Sequence, residues 1–267
     1  MKFALNQMGF PADGLGRNAE LIADAGYDGI EPNLTADGPL WDDDSVTDFG
    51  RRIDSLDLTV PAISTTLHWK DQLASDDQAA RAAGIDVGKR MIELAADLEA
   101  GAILVVPGVV EDGTPYDAVY DRALDSVRAL ATVGAEHDVT ICVENVWNDF
   151  LLSPLEFAEF VDRASTSGPV GAYFDVGNVR RYGRPEQWIR ILGNRIERVH
   201  VKDYRTDVDT MEGFTYPLEG DVDWVAVAEA LADIGYDGWI TAEVPPYRTA
   251  PERMLPRVRS DLDYLFS

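Results

Sequence analysis

Short apolar runs recur along the chain, each followed by a longer stretch in which apolar positions return every three or four residues. The short runs are rich in Val, Ile, Leu and Ala and read as strands buried on both faces; the longer stretches read as amphipathic helices. Strands are predicted near 2–6, 27–32, 58–65, 102–107, 140–145, 170–175, 196–202 and 238–244. Helices are predicted near 15–25, 45–56, 77–100, 116–137, 154–165, 185–192, 223–234 and 251–266. Strict alternation of this kind implies a parallel sheet, and eight strands with eight helices close a (β/α)8 barrel. No linker, low-complexity tract or composition break divides the chain, so one domain over 1–267 is expected. Gly26-Tyr27-Asp28-Gly29 and Gly235-Tyr236-Asp237-Gly238 repeat one device, a helix-terminating glycine that leads into a strand. Pro154, Pro185 and Pro251 stand where first helical turns should begin.

An open doubly wound sheet is the competing architecture. Gly14-Leu15-Gly16-Arg17-Asn18-Ala19 matches the G-x-G-x-x-G/A dinucleotide pattern, with Glu31 at the next strand end. In that fingerprint the first glycine follows its strand almost directly. Here Met8 to Asp13, including Pro11, intervene, which favours a glycine-softened loop entering the first helix.

Composition narrows the partners. The 267 residues carry a formal net charge of −25, and lysine occurs only at Lys2, Lys70, Lys89 and Lys202. Such an Asp-rich, lysine-poor surface is expected of a salt-adapted (halophilic) protein, whose self-repulsion concentrated cations screen. It also argues against nucleic acid as a partner, since that binding rests on phosphate neutralisation. No apolar stretch approaches the ~20 residues that cross a bilayer, so no membrane association is expected. The N-terminal run turns polar at once, unlike a signal peptide, and Cys142 is the only cysteine. A reducing cytoplasm is the expected location.

The chemistry concentrates at four strand ends: Glu144 after Thr140-Ile141-Cys142-Val143, Asp175 after Ala172-Tyr173-Phe174, His200 within Arg198-Val199-His200-Val201-Lys202-Asp203, and Glu243 after Trp239-Ile240-Thr241-Ala242. The strand period of two puts residues 140, 142 and 144 on one face and aligns His200 with Arg198 and Lys202. A barrel interior is packed with apolar side chains, so ionisable groups at the last inward position of a strand belong to the C-terminal mouth. Unpaired buried carboxylates are costly, and several together call for a cation between them. Three carboxylates and one imidazole form an oxygen-rich set that suits Mn²⁺ or Mg²⁺, with Co²⁺ or Zn²⁺ as alternatives. Such an ion binds two adjacent oxygens of a hydroxy-ketone and polarises its carbonyl, so that the neighbouring C–H becomes acidic. Glu144 and Glu243, at the two ends of the ligand row, can flank the substrate, one withdrawing a proton and the other returning it.

Val143-Glu144-Asn145, Phe174-Asp175-Val176-Gly177-Asn178, Val199-His200-Val201-Lys202-Asp203, Glu219-Gly220-Asp221-Val222-Asp223-Trp224 and Ala242-Glu243-Val244 occur in that order. With Val105-Val106-Pro107-Gly108 and Asp28-Gly29-Ile30-Glu31-Pro32, they resemble the sugar phosphate isomerase/epimerase family with the xylose-isomerase-like TIM barrel. The resemblance covers nearly the whole chain; it is specific for the superfamily and loose for substrate. It implies that Glu144, Asp175, His200 and Glu243 bind a divalent metal. From the ketose 3-epimerases it implies that Glu144 and Glu243 also act as an acid/base pair through an enediolate. Two departures stand out. Asn178 occupies the place where those epimerases carry a histidine, and Pro217-Leu218-Glu219-Gly220 lacks one glycine of the common Gly-Glu-Gly form. The expected substrate is therefore a ketose, a sugar phosphate or a related polyol, and family analogy adds a homodimer or homotetramer.

Further substrate contacts are expected from His68 beside Trp69 and Lys70 at the third strand end, and from Asn178, Lys202 and Arg205. Arg205 binds a substrate oxygen or phosphate, or pairs with a surface Asp. Glu31 contacts substrate or binds a backbone amide; Trp147 walls the pocket or packs in the core. Asp42-Asp43-Asp44 reads as a helix cap and His137 as a residue placed by a helix C-terminus. Three rivals share the barrel. An inosose-type dehydratase needs the same first proton abstraction and then loses water. A non-catalytic sugar-binding barrel turns nothing over. An endonuclease IV-like nuclease needs extra histidines where this chain has Pro107-Gly108 and Asn178.

Overall fold

The computed structural model describes residues 1–8 and 14–267. The stretch before Gly14 that carries the intervening residues of the glycine pattern falls largely outside them. Seven barrel strands pair, all in parallel: β1 (Lys2–Asn6), β2 (Gly29–Glu31), β5 (Ala102–Val105), β6 (Thr140–Glu144), β7 (Val170–Asp175), β8 (Ile196–Val201) and β11 (Trp239–Ala242), in the order β2-β1-β11-β8-β7-β6-β5. The intervening numbers belong to β3 (Asn33–Leu34), β4 (Ser64–Thr65), β9 (Asp203–Tyr204) and β10 (Phe214–Thr215). Helices α1 (Leu15–Asp24), α2 (Asp43–Ser55), α3 (Gln78–Asp97), α4 (Tyr116–Glu136), α5 (Pro154–Ala164), α6 (Val176–Arg180), α7 (Pro185–Leu192), α8 (Trp224–Asp233) and α9 (Met254–Phe266) alternate with them. The result is the TIM barrel that the alternation predicts.

The ring closes through residues 59–65, less regularly than expected. The Thr59 amide donates to the Asp28 carbonyl and its own carbonyl accepts from Ile30, both at 3.0 Å. On the other side the Ile63 amide donates to Ala102 at 3.1 Å and the Leu104 amide to Ile63 at 2.8 Å. Between these contacts stands Pro61, which has no N–H to offer a ladder. Pro32 likewise ends β2 within the predicted strand 27–32, and β3, just beyond it, pairs in parallel with β4. Among the described residues, no helix is long and apolar enough to cross a membrane.

Outward strand faces and inward helix faces share the main core, where Ile30, Ile103, Val143, Phe174, Val199 and Ile240 are buried. Each such side chain contributes roughly 1.5–3 kcal/mol on burial. Inside the barrel a second, small cluster of Ala62, Ala102, Leu104, Cys142 and Tyr173 forms a floor. The helices begin where the sequence offers caps. Asp42 accepts from the Ser45 amide, Ser153 from Glu156, and Asp223 from Ala226, with Pro154 and Pro185 at first helical positions. Gly26 and Gly235 have φ of 83° and 69°, conformations costly for a side chain.

One irregularity decides where the site residues point. Ala172 pairs with Ile196, but Tyr173 pairs with Arg198, so Glu197 is an extra residue on β8. A one-residue slip moves every later side chain to the opposite face. Beyond the bulge Asp175 stands level with His200, and both face inward.

Candidate active site

Glu144, Asp175 and His200 end or nearly end β6, β7 and β8, and Glu243 directly follows β11. Each offers one ligand atom, and these atoms all lie within 4.8 Å of one another. Nδ1 of His200 stands 3.5 Å from Glu144 Oε1 and 3.9 Å from both Asp175 Oδ2 and Glu243 Oε2. The other ring nitrogen, Nε2, lies 3.0 Å from Glu31 Oε1. Glu31 is fully buried and also accepts from the Asn6 side-chain amide and the Tyr173 hydroxyl. A carboxylate only accepts, so in the neutral ring Nε2 carries the proton and the lone pair of Nδ1 faces the three carboxylates.

That nitrogen is buried without a hydrogen-bond partner. An orphaned imidazole lone pair aimed at a carboxylate trio is the donor set of a divalent cation, with Glu31 holding ring and tautomer from behind. The residues therefore fit the metal that the sequence implies. Lys202 supplies the cluster with a fixed positive charge: its Nζ donates to Asp175 Oδ2 at 2.6 Å and to Glu243 Oε2. Gly177 makes room for it, because a Cβ there would lie 2.6 Å from Lys202 Cγ and 2.7 Å from its carbonyl oxygen.

The electrostatics of the metal-free cluster are uneven. Burial pushes the Glu144 carboxyl up to about 7. It raises Asp175 as well, with Lys202 as the main opposing charge. Burial also acts upward on Glu243, but the charges of Lys202 and His200 outweigh it and hold that carboxyl below its usual range. For His200 burial favours the neutral ring, yet Glu31, Glu243 and Glu144 outweigh it and raise its pKa well above normal. Without a cation the cluster thus retains protons.

Above these groups lies a cavity of about 990 Å³. Glu144, Asn178, Lys202 and Glu243 reach it, whereas Asp175 and His200 sit beneath at zero exposure. Asn178 lies in the first turn of α6, where its amide donates to Asp175 Oδ1 at 2.7 Å and its side chain to the Asn145 carbonyl at 2.9 Å. Trp147 walls the cavity, stacked on Phe214 with centroids 4.7 Å apart and donating through Nε1 to the Asn178 carbonyl at 2.9 Å.

Three expected contacts fall elsewhere. Glu31 does not line the cavity, and among the described residues its carboxylate meets no backbone amide; it accepts from Asn6 and Tyr173 and meets His200. His68 is buried away from the cavity, its Nε2 3.2 Å from the Gly84 carbonyl of α3, while neighbouring Trp69 lines the rim. Burial pushes the His68 imidazole down to about 4. Arg205 does not line the cavity, and its guanidinium reaches the Glu212 carbonyl at 3.4 Å. Arg181 is the residue that sequence reading passes over: it lines the cavity, lies 4.5 Å above the Trp147 ring and pairs with Asp209 at 2.9 Å.

Residues 19–265 match the model of the xylose isomerase-like TIM barrel family. The chain belongs to that family. It is 26% identical to the L-ribulose-5-phosphate 3-epimerase UlaE of Salmonella typhi over 207 residues, covering 73% of this chain and 70% of that one. It is 27% identical to an inosose dehydratase of Geobacillus thermodenitrificans over 144 residues, 46% of each chain, so the match spans about half the length of that relative. The solved structure of the IolI protein with a bound zinc atom superposes over the full length of both chains, with a TM-score of 0.87 at 21% identity. Within this family's barrel the cluster of Glu144, Asp175, His200 and Glu243 is the group of possible metal ligands found among the described residues.

Proposed function

We propose that this protein is a divalent-metal-dependent isomerase or epimerase of a ketose, sugar phosphate or related polyol. One observation carries the reading. Of the four clustered ligands, only Glu144 and Glu243 reach the cavity, and they stand at opposite ends of the row β6-β7-β8-β11. Asp175 and His200 would help hold the ion, with Mn²⁺ or Mg²⁺ favoured by the oxygen-rich set. Bound there, the ion supplies Lewis acidity to a substrate carbonyl.

The chain's own groups do the rest. One of the two glutamates removes the proton next to the carbonyl and the other delivers one to the carbon or oxygen that receives it. Lys202 offsets the charge of Glu243 and Asp175 throughout. Asn178 and Trp147 shape the space beside Glu144.

Deuterium uptake from D₂O, read by mass spectrometry across ketoses, their phosphates and inososes, tests the assignment. The expected result is exchange at one carbon that disappears in Glu144→Gln. Absence of exchange across the panel in a stoichiometrically metal-loaded protein overturns it. Loss of water from an inosose instead moves the activity to a dehydratase, as named for one relative.

A further inference from the structure

Six charged side chains among the described residues line the cavity: Glu144, Asp149, Glu212 and Glu243 against Arg181 and Lys202. Both cations are committed. Lys202 binds Asp175 and Glu243, and Arg181 binds Asp209 while lying on Trp147. Residues 9–13, Gly-Phe-Pro-Ala-Asp, bring no lysine or arginine.

Backbone amides are the other common phosphate cradle, above all at helix N-termini near the last strands of such a barrel. Here the chain's own carboxylates already occupy them. Asp203 Oδ1 accepts from the amides of Tyr204 at 2.8 Å and Val222 at 3.0 Å. Asp221 Oδ2 accepts from the Thr206 amide at 2.7 Å, and Asp223 caps α8 through Ala226 at 3.1 Å. Gly220 keeps Asp203 in place, since a Cβ there would collide with its carboxylate. A phosphate monoester carries close to two negative charges at neutral pH. With the ion on Glu144 and Glu243, it would still meet the carboxylates of Asp149 and Glu212, with no spare side-chain cation among the described residues and no amide nest left open at the positions just named.

From these observations we infer that the site selects a neutral, unphosphorylated polyhydroxy ketone, acyclic or cyclic, and rejects its phosphate esters. The inference rests on the isomerase reading above and narrows its substrate class. Calorimetric titration of the metal-loaded protein with D-fructose and D-ribulose, against the same ketoses bearing a terminal phosphate, tests it. The free ketose should bind at least about tenfold more tightly than its ester, as like-charge juxtaposition demands. Inorganic phosphate should not displace it. Asp209→Asn, which releases Arg181, should narrow the ratio severalfold towards the ester. An ester that binds as tightly as its parent, or phosphate that displaces the ketose, overturns the inference.

The two readings fail separately. Free-ketose binding without deuterium uptake sinks the isomerase assignment and leaves the charge selectivity standing. Deuterium uptake on the ester alone does the reverse, and binding of neither compound overturns both.

Discussion

From β6 round to β11 the strands run four to six residues and, beyond the single bulge, pair without interruption. Across the ring, the arc from β2 to β4 is broken at Pro32 and Pro61 and survives as short pieces and single bridges. The regular arc delivers all four clustered side chains; from the broken arc Glu31 and Ser64 bond Asn6 at the end of β1, and Glu31 also meets His200. The contrast shows where precision is needed. Four side chains from four strands must meet within a few ångströms, and only continuous registers fix them. The opposite wall has to close the ring and brace one imidazole, which hydrogen bonds through interrupted backbone accomplish.

The strongest way to break this contrast is at the cavity-facing ligands. Glu144→Gln and Glu243→Gln should each lower turnover by about 10²–10⁴-fold with the fold intact, read as steady-state rates beside circular dichroism. Next comes Lys202→Met. It strips the metal-free cluster of its fixed cation and should cost about 3–5 kcal/mol of stability by denaturant unfolding, a loss that added divalent metal largely restores. Glu31→Gln probes the broken arc. Metal affinity should fall about 10–100-fold in a fluorescence competition titration, because the imidazole loses its carboxylate brace.

The pH dependence follows from the raised Glu144 and His200. A group whose folded pKa is raised stabilises the fold below its unfolded value, and that contribution is lost as pH rises through the folded one. For Glu144 this window runs from the ordinary carboxyl range up to about 7. The metal-free protein should therefore lose site-derived stability over that range while metal affinity rises, since binding displaces those protons. The gap between metal-loaded and metal-free Tm should widen with pH, and a constant gap would contradict the assigned ligands. The smallest effect is expected at Pro61→Ala, within about 1 kcal/mol in stability and with metal affinity unchanged.

Much of this was legible beforehand. The alternation of short apolar runs with amphipathic stretches located every barrel strand, and the four residues that cluster at the mouth followed from strand ends and the period of two. What escaped depended on register or on loops. The bulge at Glu197 leaves no mark in composition, yet it decides that Asp175 and His200 share a face. Glu31 could be placed at a strand end, but nothing local showed that it points at an imidazole from a distant strand. His68 looked like a rim residue until the short turn Leu67–Trp69 rotated it towards α3 and Trp69 towards the cavity. Arg181 caps the C-terminus of α6, a short helix that the pattern did not resolve, and its partner Asp209 belongs to the excursion between β9 and β10.

The bond from Glu31 to His200 spans 169 positions of sequence. On the ribosome, the brace is therefore made long before the ring it steadies, and the first clustered ligand, Glu144, emerges only past the chain's midpoint. No truncated nascent chain can offer the complete ligand set, because Glu243 arrives with the last strand. An ion held by all four side chains could therefore enter only once that strand has emerged, as a seal on a finished barrel.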